Sequence, residues 1–363
     1  MDFINEIQKY GADNFKACFD CGTCTAVCNL SEPGHSFPRY FVRLAKTGRT
    51  DEILSSREIW LCYACGDCSE NCPRNADPAE LISALRRYSI ARLEPTGLTR
   101  LMFKNNPIYV LITLVIALLL GLLLLSFKPE SEVSRWLFTY IDYNTIHYGG
   151  LALAAFLVLS IIYGVFKAAK NYAASETKTK PWDALKATLT EIGIFKRYQT
   201  CDKYDDSFWY GKPWFVKPWF VHFTIFWGFV GLFIATGADY LFKNPDTDVW
   251  WPTRILGTVA GLLLMYGATL AMWYRLSKVT KVYEKSKLSD WIFLGFVWLT
   301  GFTGFWLEIA VFARDHSYLT HIVLLVHVVC AAEMFLLFAF SKFAHAVYRP
   351  IALYNYYRMK NEK

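Results

Sequence analysis

Eight of the ten cysteines lie in two runs, CFDCGTCTAVC at 18–28 and CYACGDCSENC at 62–72. The second run repeats the spacing of the first: adding 44 to Cys18, Cys21, Cys24 and Cys28 gives Cys62, Cys65, Cys68 and Cys72. This is the C-x2-C-x2-C-x3-C pattern that binds [4Fe-4S] clusters. Three thiolates on one tight loop reach three corners of a cubane while the fourth points away, and in two-cluster proteins that fourth cysteine ligates the other cluster. The spacing therefore predicts two clusters, one on Cys18, Cys21, Cys24 and Cys72, the other on Cys62, Cys65, Cys68 and Cys28. Structural zinc sites instead use two separated cysteine pairs that close one tetrahedron. Pro73 follows the second run and Asn29 the first. Cys201 and Cys330 belong to neither run and read as structural thiols.

The histidines suggest a second redox chemistry. His327 and His345 are 18 residues apart, which on one continuous helix is five whole turns, so both would project from one face about 27 Å apart. That is the placement expected of a helix giving one axial ligand to each of two stacked b haems. His222, in WFVHFTIFWGF, is expected opposite His345, and His147, in YNTIHYGGLAL, opposite His327. His321 is off that face, whereas His35 and His316 read as interfacial. Glu308, with Arg314, Asp315 and His321 following it, sets proton-carrying groups near the outer surface. Helix-end anchoring is the simpler explanation of the same residues. Glu333 lies in the middle of the last span, where pairing with a neighbouring helix is the alternative use.

These groups need elements to hold them. Residues 1–100 are polar and charged like a small soluble domain, and between the cysteine runs FPRYFVRLAKTG and TDEILSSREIWL read as helices. From Leu101 onward there are six apolar stretches, approximately 108–126, 146–166, 220–240, 255–273, 291–312 and 320–343, each close to the ~20 residues that cross a bilayer core. The expected fold is all-α: an α-helical two-cluster ferredoxin domain over 1–100, then a six-helix transmembrane dihaem cytochrome b bundle over 101–363. Lysine and arginine set the orientation. Residues 167–217 carry ten of them, 275–287 carry five and the tail from Arg349 four, whereas the opposite links hold only Lys128, Arg135, Lys243, Arg254 and Arg314. By the positive-inside rule both termini and the cysteine domain face the cytoplasm, in a multi-pass protein of the cytoplasmic (inner) membrane. The net charge of +7 then marks a membrane face, and no nucleic-acid partner is expected. MDFINEIQKYGADNF has no secretory pattern, which favours metal or redox chemistry over disulfides. No nucleotide-binding glycine motif occurs, so flavin would belong to a partner. TKPWDALKATLTEIGIFKRYQ, amphipathic with helical period, is expected to lie on the membrane or dock a partner.

CFDCGTCTAVC, FPRYFVRLAKTG, IWLCYACGDCSENCPR and LISALRRYSI resemble the C-type iron–sulfur subunits of heterodisulfide reductases, and the histidine-bearing part is similar to the cytochrome b family that includes the nitrate reductase gamma subunit. One chain joining both resembles the membrane-subunit family, QmoC, of quinone-interacting membrane-bound oxidoreductase complexes. The resemblance implies an electron-transfer subunit between a menaquinone pool and cytoplasmic flavin and iron–sulfur subunits, which serve adenylylsulfate reductase in dissimilatory sulfur metabolism, and so a quinone site, for which Glu308 and His321 are the candidates. The alternatives are the membrane arm of a heterodisulfide reductase-like or other sulfur-pathway complex, or a zinc-regulated transporter or scaffold. Two departures stand out. The nitrate reductase relative bears two histidines on its earlier helix, whereas His222 has no second histidine on its own. Asn29 also follows the first cysteine run where the pattern carries a proline. Apart from these two, there are no adjacent cysteines of the kind that builds a disulfide-cleaving cluster, so the chain should not itself reduce a disulfide.

Overall fold

The computed structural model describes residues 3–32, 36–127, 136–172, 177–201, 208–242 and 251–360; His35, Lys128, Arg135 and Lys243 lie outside these. Every regular element among the described residues is helical. The main ones are α1 (Arg39–Thr47), α2 (Pro78–Leu93), α3 (Asn106–Ser126), α4 (Tyr143–Asn171), α5 (Pro181–Ile194), α6 (Pro218–Phe242), α7 (Trp251–Leu276), α8 (Leu288–Ala313), α9 (Tyr318–Leu336) and α10 (His345–Met359).

α3, α4, α6, α7, α8 and α9 are each long and apolar enough to cross a membrane. Their starts are written locally. Asn105, Asp142 and Ser317 each offer a side-chain oxygen to a backbone N–H of the first turn, at 3.3, 2.7 and 3.3 Å, satisfying donors that a helix start leaves orphaned. Leu114, Leu118 and Leu122 on α3 face outward although apolar, as a lipid-facing surface requires.

The last span departs from its expected form. Helix from 320 through 343 is not continuous: α9 stops at Leu336, two short 3-10 turns follow, and α10 begins at His345 itself. Ser341 sits in extended conformation, its hydroxyl accepting from Phe343 N at 3.3 Å to restart the chain. The Phe340 carbonyl freed by the break accepts from the Thr99 hydroxyl at 3.1 Å. His327 and His345 are therefore on separate helices, and the five-turn relation between them is corrected.

The thiol-bearing region packs directly on the ends of the bundle. A single apolar core runs from Phe3, Ile7 and Phe41 through Trp60 and Tyr88 to Tyr172, Tyr348 and Ala352. Within it the Trp60 indole donates to the Tyr172 hydroxyl at 2.6 Å. Arg349 donates to the carbonyls of Leu61 and Cys62 at 3.2 and 3.1 Å, and Lys281 donates its backbone N–H to Glu70 at 2.6 Å. The amphipathic segment forms α5, which packs on α10 of the same chain and accepts from the Trp227 indole of α6 through Gly193 O at 2.9 Å.

Candidate functional site: two thiol nests beside a histidine pair

The two cysteine runs fold alike, and the backbone explains how. In each, the residue two after the first cysteine takes positive φ, 67° at Asp20 and 55° at Ala64, which turns its N–H onto that cysteine's sulfur. The bonds are Asp20 N to Cys18 Sγ at 3.3 Å and Ala64 N to Cys62 Sγ at 3.2 Å. Gly22 and Gly66, at φ 89° and 99°, then start one helical turn each, Thr23–Ala26 and Asp67–Glu70. A side chain at either glycine would be strained by φ and would crowd Arg39 or Val282.

The thiols mix across the runs. Burial pushes Cys24 up to about 11, with Cys18, Cys72 and Cys21 adding to the rise. Burial likewise pushes Cys28 up to about 12, with Cys62 and then Cys65 contributing. Cys72 thus lies among the thiols of the first run, and Cys28 among those of the second. Cys28, Cys62, Cys65 and Cys68 line one cavity of about 140 Å³. The thiols surround this space rather than converging on a point: among the described residues no three His, Cys, Asp or Glu side chains form a group that could hold a single ion. Four thiols around a common cavity fit a cluster, in which each iron takes its own sulfur. Cationic Arg86 and Arg349 both donate to the Cys62 carbonyl, at 2.5 and 3.1 Å, and offset the negative charge that thiolates would concentrate there.

His147, His222, His327 and His345 are half-buried within the helical assembly, whereas His321 is buried and His316 exposed. His222 on α6 and His345 at the head of α10 face each other with ring centroids 6.5 Å apart and planes inclined at 37°. Two imidazoles on opposite sides of one iron, with metal–nitrogen bonds of about 2 Å, place their centroids about 6 Å apart, so the pair fits a shared haem iron. His345 Nδ1 contacts the Lys342 carbonyl; a carbonyl only accepts, so the proton is on Nδ1 and Nε2 is free to ligate.

His327 is oriented by the same logic. The Thr303 hydroxyl donates to Leu299 O at 2.7 Å, so its 2.9 Å contact with His327 Nδ1 must accept the ring's N–H, again leaving Nε2 free. Gly304 lets the ring lie against α8, where a Cβ would meet Cε1 at 3.3 Å. The described neighbours of His147 include Tyr143, stacked at 5.9 Å, and Tyr148.

Glu308 and His321 are not brought together. Glu308 accepts from Thr258 on α7 at 2.7 Å, whereas both ring nitrogens of His321 meet carbonyls, Ser317 O and Trp136 O, at 2.9 Å each. No hydrogen bond or ion pair joins them among the described residues. His316 rests on the Trp136 ring at 4.5 Å. Glu333 is 1% exposed, and its Oε1 has no described partner. Cys330 is buried on α9.

Between the thiol cavity and the histidine pair lies a seam of aromatic rings. Tyr63 stacks on Tyr198 at 4.7 Å, Phe195 is 4.9 Å and Tyr198 6.3 Å from His222, and the Arg349 guanidinium sits 3.7 Å over Tyr63. The Tyr63 hydroxyl donates to buried Glu191 at 2.6 Å, which fixes the ring. Sequence spacing has no means of finding Arg349, Tyr63 or Thr303, because each acts across a tertiary contact. Cys201, expected as a structural thiol, lines the same cavity as the four thiols of the second nest. A hydrogen bond to Cys65, then burial, hold its thiol well above the ordinary range.

Comparison with known proteins agrees with the first of these two sites. A family described as a 4Fe-4S dicluster domain matches residues 14–76. The chain is similar to a protein of Archaeoglobus profundus described as like the C subunit of heterodisulfide reductase, 35% identical over 111 residues, covering 28% of this chain and 58% of that one. It is also similar to the C subunit of the H(2):CoB-CoM heterodisulfide,ferredoxin reductase of Methanothermobacter thermautotrophicus, 34% identical over 85 residues, covering 23% and 46%. The cysteine-bearing region is thus similar to iron–sulfur C subunits of heterodisulfide reductases. The chain spans about half the length of the curated relatives it matches, and six candidate membrane helices follow the region of similarity. No solved structure matches it.

Proposed function

We propose that the chain is the membrane electron-transfer subunit of a quinone-dependent oxidoreductase, working between a menaquinone pool and cytoplasmic flavin and iron–sulfur subunits. This is the role implied by its resemblance to the membrane subunits of quinone-interacting complexes, with adenylylsulfate reductase as the soluble destination or source. Two [4Fe-4S] clusters and two b haems, when bound, supply one-electron carriers. Cys18, Cys21, Cys24 and Cys72 hold one cluster and Cys62, Cys65, Cys68 and Cys28 the other. His222 and His345 would hold one haem, and His147 and His327 the second. The division of labour falls near residue 100, and both termini face the cytoplasm, where the basic links gather.

One observation carries this reading: the facing pair His222 and His345, 6.5 Å apart, lies one aromatic layer from the thiol cavity through Tyr63, Phe195 and Tyr198. The chain's own groups hold carriers at short range and exclude water between them. For the quinone, Glu308 is the proton-carrying group retained, because both nitrogens of His321 are engaged by carbonyls. The test is the cofactor content of the purified full chain. About eight irons in clusters and two low-spin b haems per chain are expected, with a reduced-minus-oxidised b band. A protein carrying zinc and no haem would overturn the assignment.

A further inference from the structure

The second nest holds one thiol too many. Cys28, Cys62, Cys65 and Cys68 suffice for a cubane, yet Cys201, 8% exposed, lines the same cavity from a segment more than a hundred residues later in the chain. It packs with Phe195 and Tyr198 against Tyr63 and Cys65 on one side and Trp219, Phe223 and Phe226 of α6 on the other. Its sulfur lies 3.7 Å from Arg197 O, within reach for the S–H to donate. The segment is also tied to the first cysteine run. Asn29, standing where the second run has Pro73, donates its side-chain amide to Thr200 O at 2.9 Å, one residue before Cys201. A proline has no such donor.

We propose that Cys201 is a fifth sulfur of the second cluster site, a positioning thiol whose S–H donates to the Cys65 sulfur rather than to iron. Asn29 is the clamp that holds it there. The inference rests on the cluster assignment above and goes beyond it. Donation to a ligating thiolate is charge-assisted, so it outcompetes the long bond to the Arg197 carbonyl once Cys65 is ionised on iron. Hydrogen bonds to cluster sulfurs stabilise the more negative, reduced state and so raise the potential. The segment also packs on α6, the helix that bears His222.

Redox titration of the full chain in detergent, followed by electron paramagnetic resonance and iron analysis, tests this. In Cys201→Ala, iron should stay at the wild-type level. One cluster's reduced-to-oxidised ratio at fixed ambient potential should fall by up to tenfold, which is about 59 mV for one electron, while the other cluster is unmoved. Cys201→Ser, which keeps a donor, should fall less. Asn29→Ala should shift the same cluster in the same direction without touching any thiol. Unchanged potentials in Cys201→Ala would overturn the proposal, and loss of about four irons would show a ligand instead of a donor. If the wild-type chain binds no two clusters, it is the cluster assignment that fails, a different result from either.

Discussion

The thiol nests and the histidine pair are built on opposite plans. In the proposed ligand sets each nest takes three sulfurs from one short loop and one from its twin, so most of its geometry is local and repeats with an offset of 44 residues. The histidine pair has no local geometry at all: His222 comes from α6 and His345 from the start of α10, and only tertiary packing brings them to 6.5 Å. A loop-built site is set by turn residues such as Asp20, Gly22, Ala64 and Gly66, whereas a packing-built site depends on whatever holds the helices in register. The two plans should fail differently when cut.

The largest effect is expected in the nests. Cys28→Ala should remove about four of eight irons, and combining it with Cys62→Ala should remove no more, because both serve one cluster. Iron analysis with electron paramagnetic resonance reads the outcome. If the double variant lost all eight, each run would hold its own cluster and the exchange between runs would be wrong. The histidines offer the parallel cut. His222→Ala and His345→Ala should each cost about half the haem, and together no more than either alone. His327→Ala combined with His345→Ala should cost all of it. Pyridine haemochrome analysis per chain decides, and complete haem loss in the His222/His345 double variant would break the pairing.

A smaller effect is expected where the two regions meet. Trp60→Phe removes the indole donor to the buried Tyr172 hydroxyl and should cost about 1–3 kcal/mol, the usual penalty of an unsatisfied buried polar group. Thermal unfolding of the full chain in detergent should shift to lower temperature, with iron and haem content unchanged. Loss of either cofactor instead would mean that the seam shapes the sites and does not merely join them.

What is legible in the sequence follows the same contrast. Periodicity marks the six spans, and turn chemistry shapes the cysteine runs, since both depend on neighbours a few residues away. The break between Leu336 and His345 is hidden because LLFAFSKFAHA is apolar enough to continue a helix. The stop comes instead from extended Ser341 and from Thr99, 241 positions distant, taking up the freed Phe340 carbonyl. His345 stands out in the sequence all the same, although through a helix-face relation that does not exist. Cys201 does not, because a thiol outside a spaced run carries no local signature. Its partner across the cavity, Cys65, lies on a loop that only the folded chain brings near.

The finest cut separates holding a ligand from orienting it. Thr303 touches His327 through one bond, and its hydroxyl proton is already committed to Leu299 O at 2.7 Å, so it serves the imidazole only as an acceptor at 2.9 Å. Thr303→Val keeps the shape and removes that acceptor, while Gly304 still leaves room for the ring. Haem content should therefore stay at two per chain. The imidazole, with one hydrogen-bond acceptor fewer, becomes a weaker donor to ferric iron, so the potential of that haem should rise. One neutral hydrogen bond bounds the rise at about 60 mV, the one-electron equivalent of about 1.4 kcal/mol. Spectroelectrochemical titration should find one haem shifted and the one beside His222 and His345 unmoved. A shift of both haems, or of neither, would place His327 outside the role its tautomer suits it for.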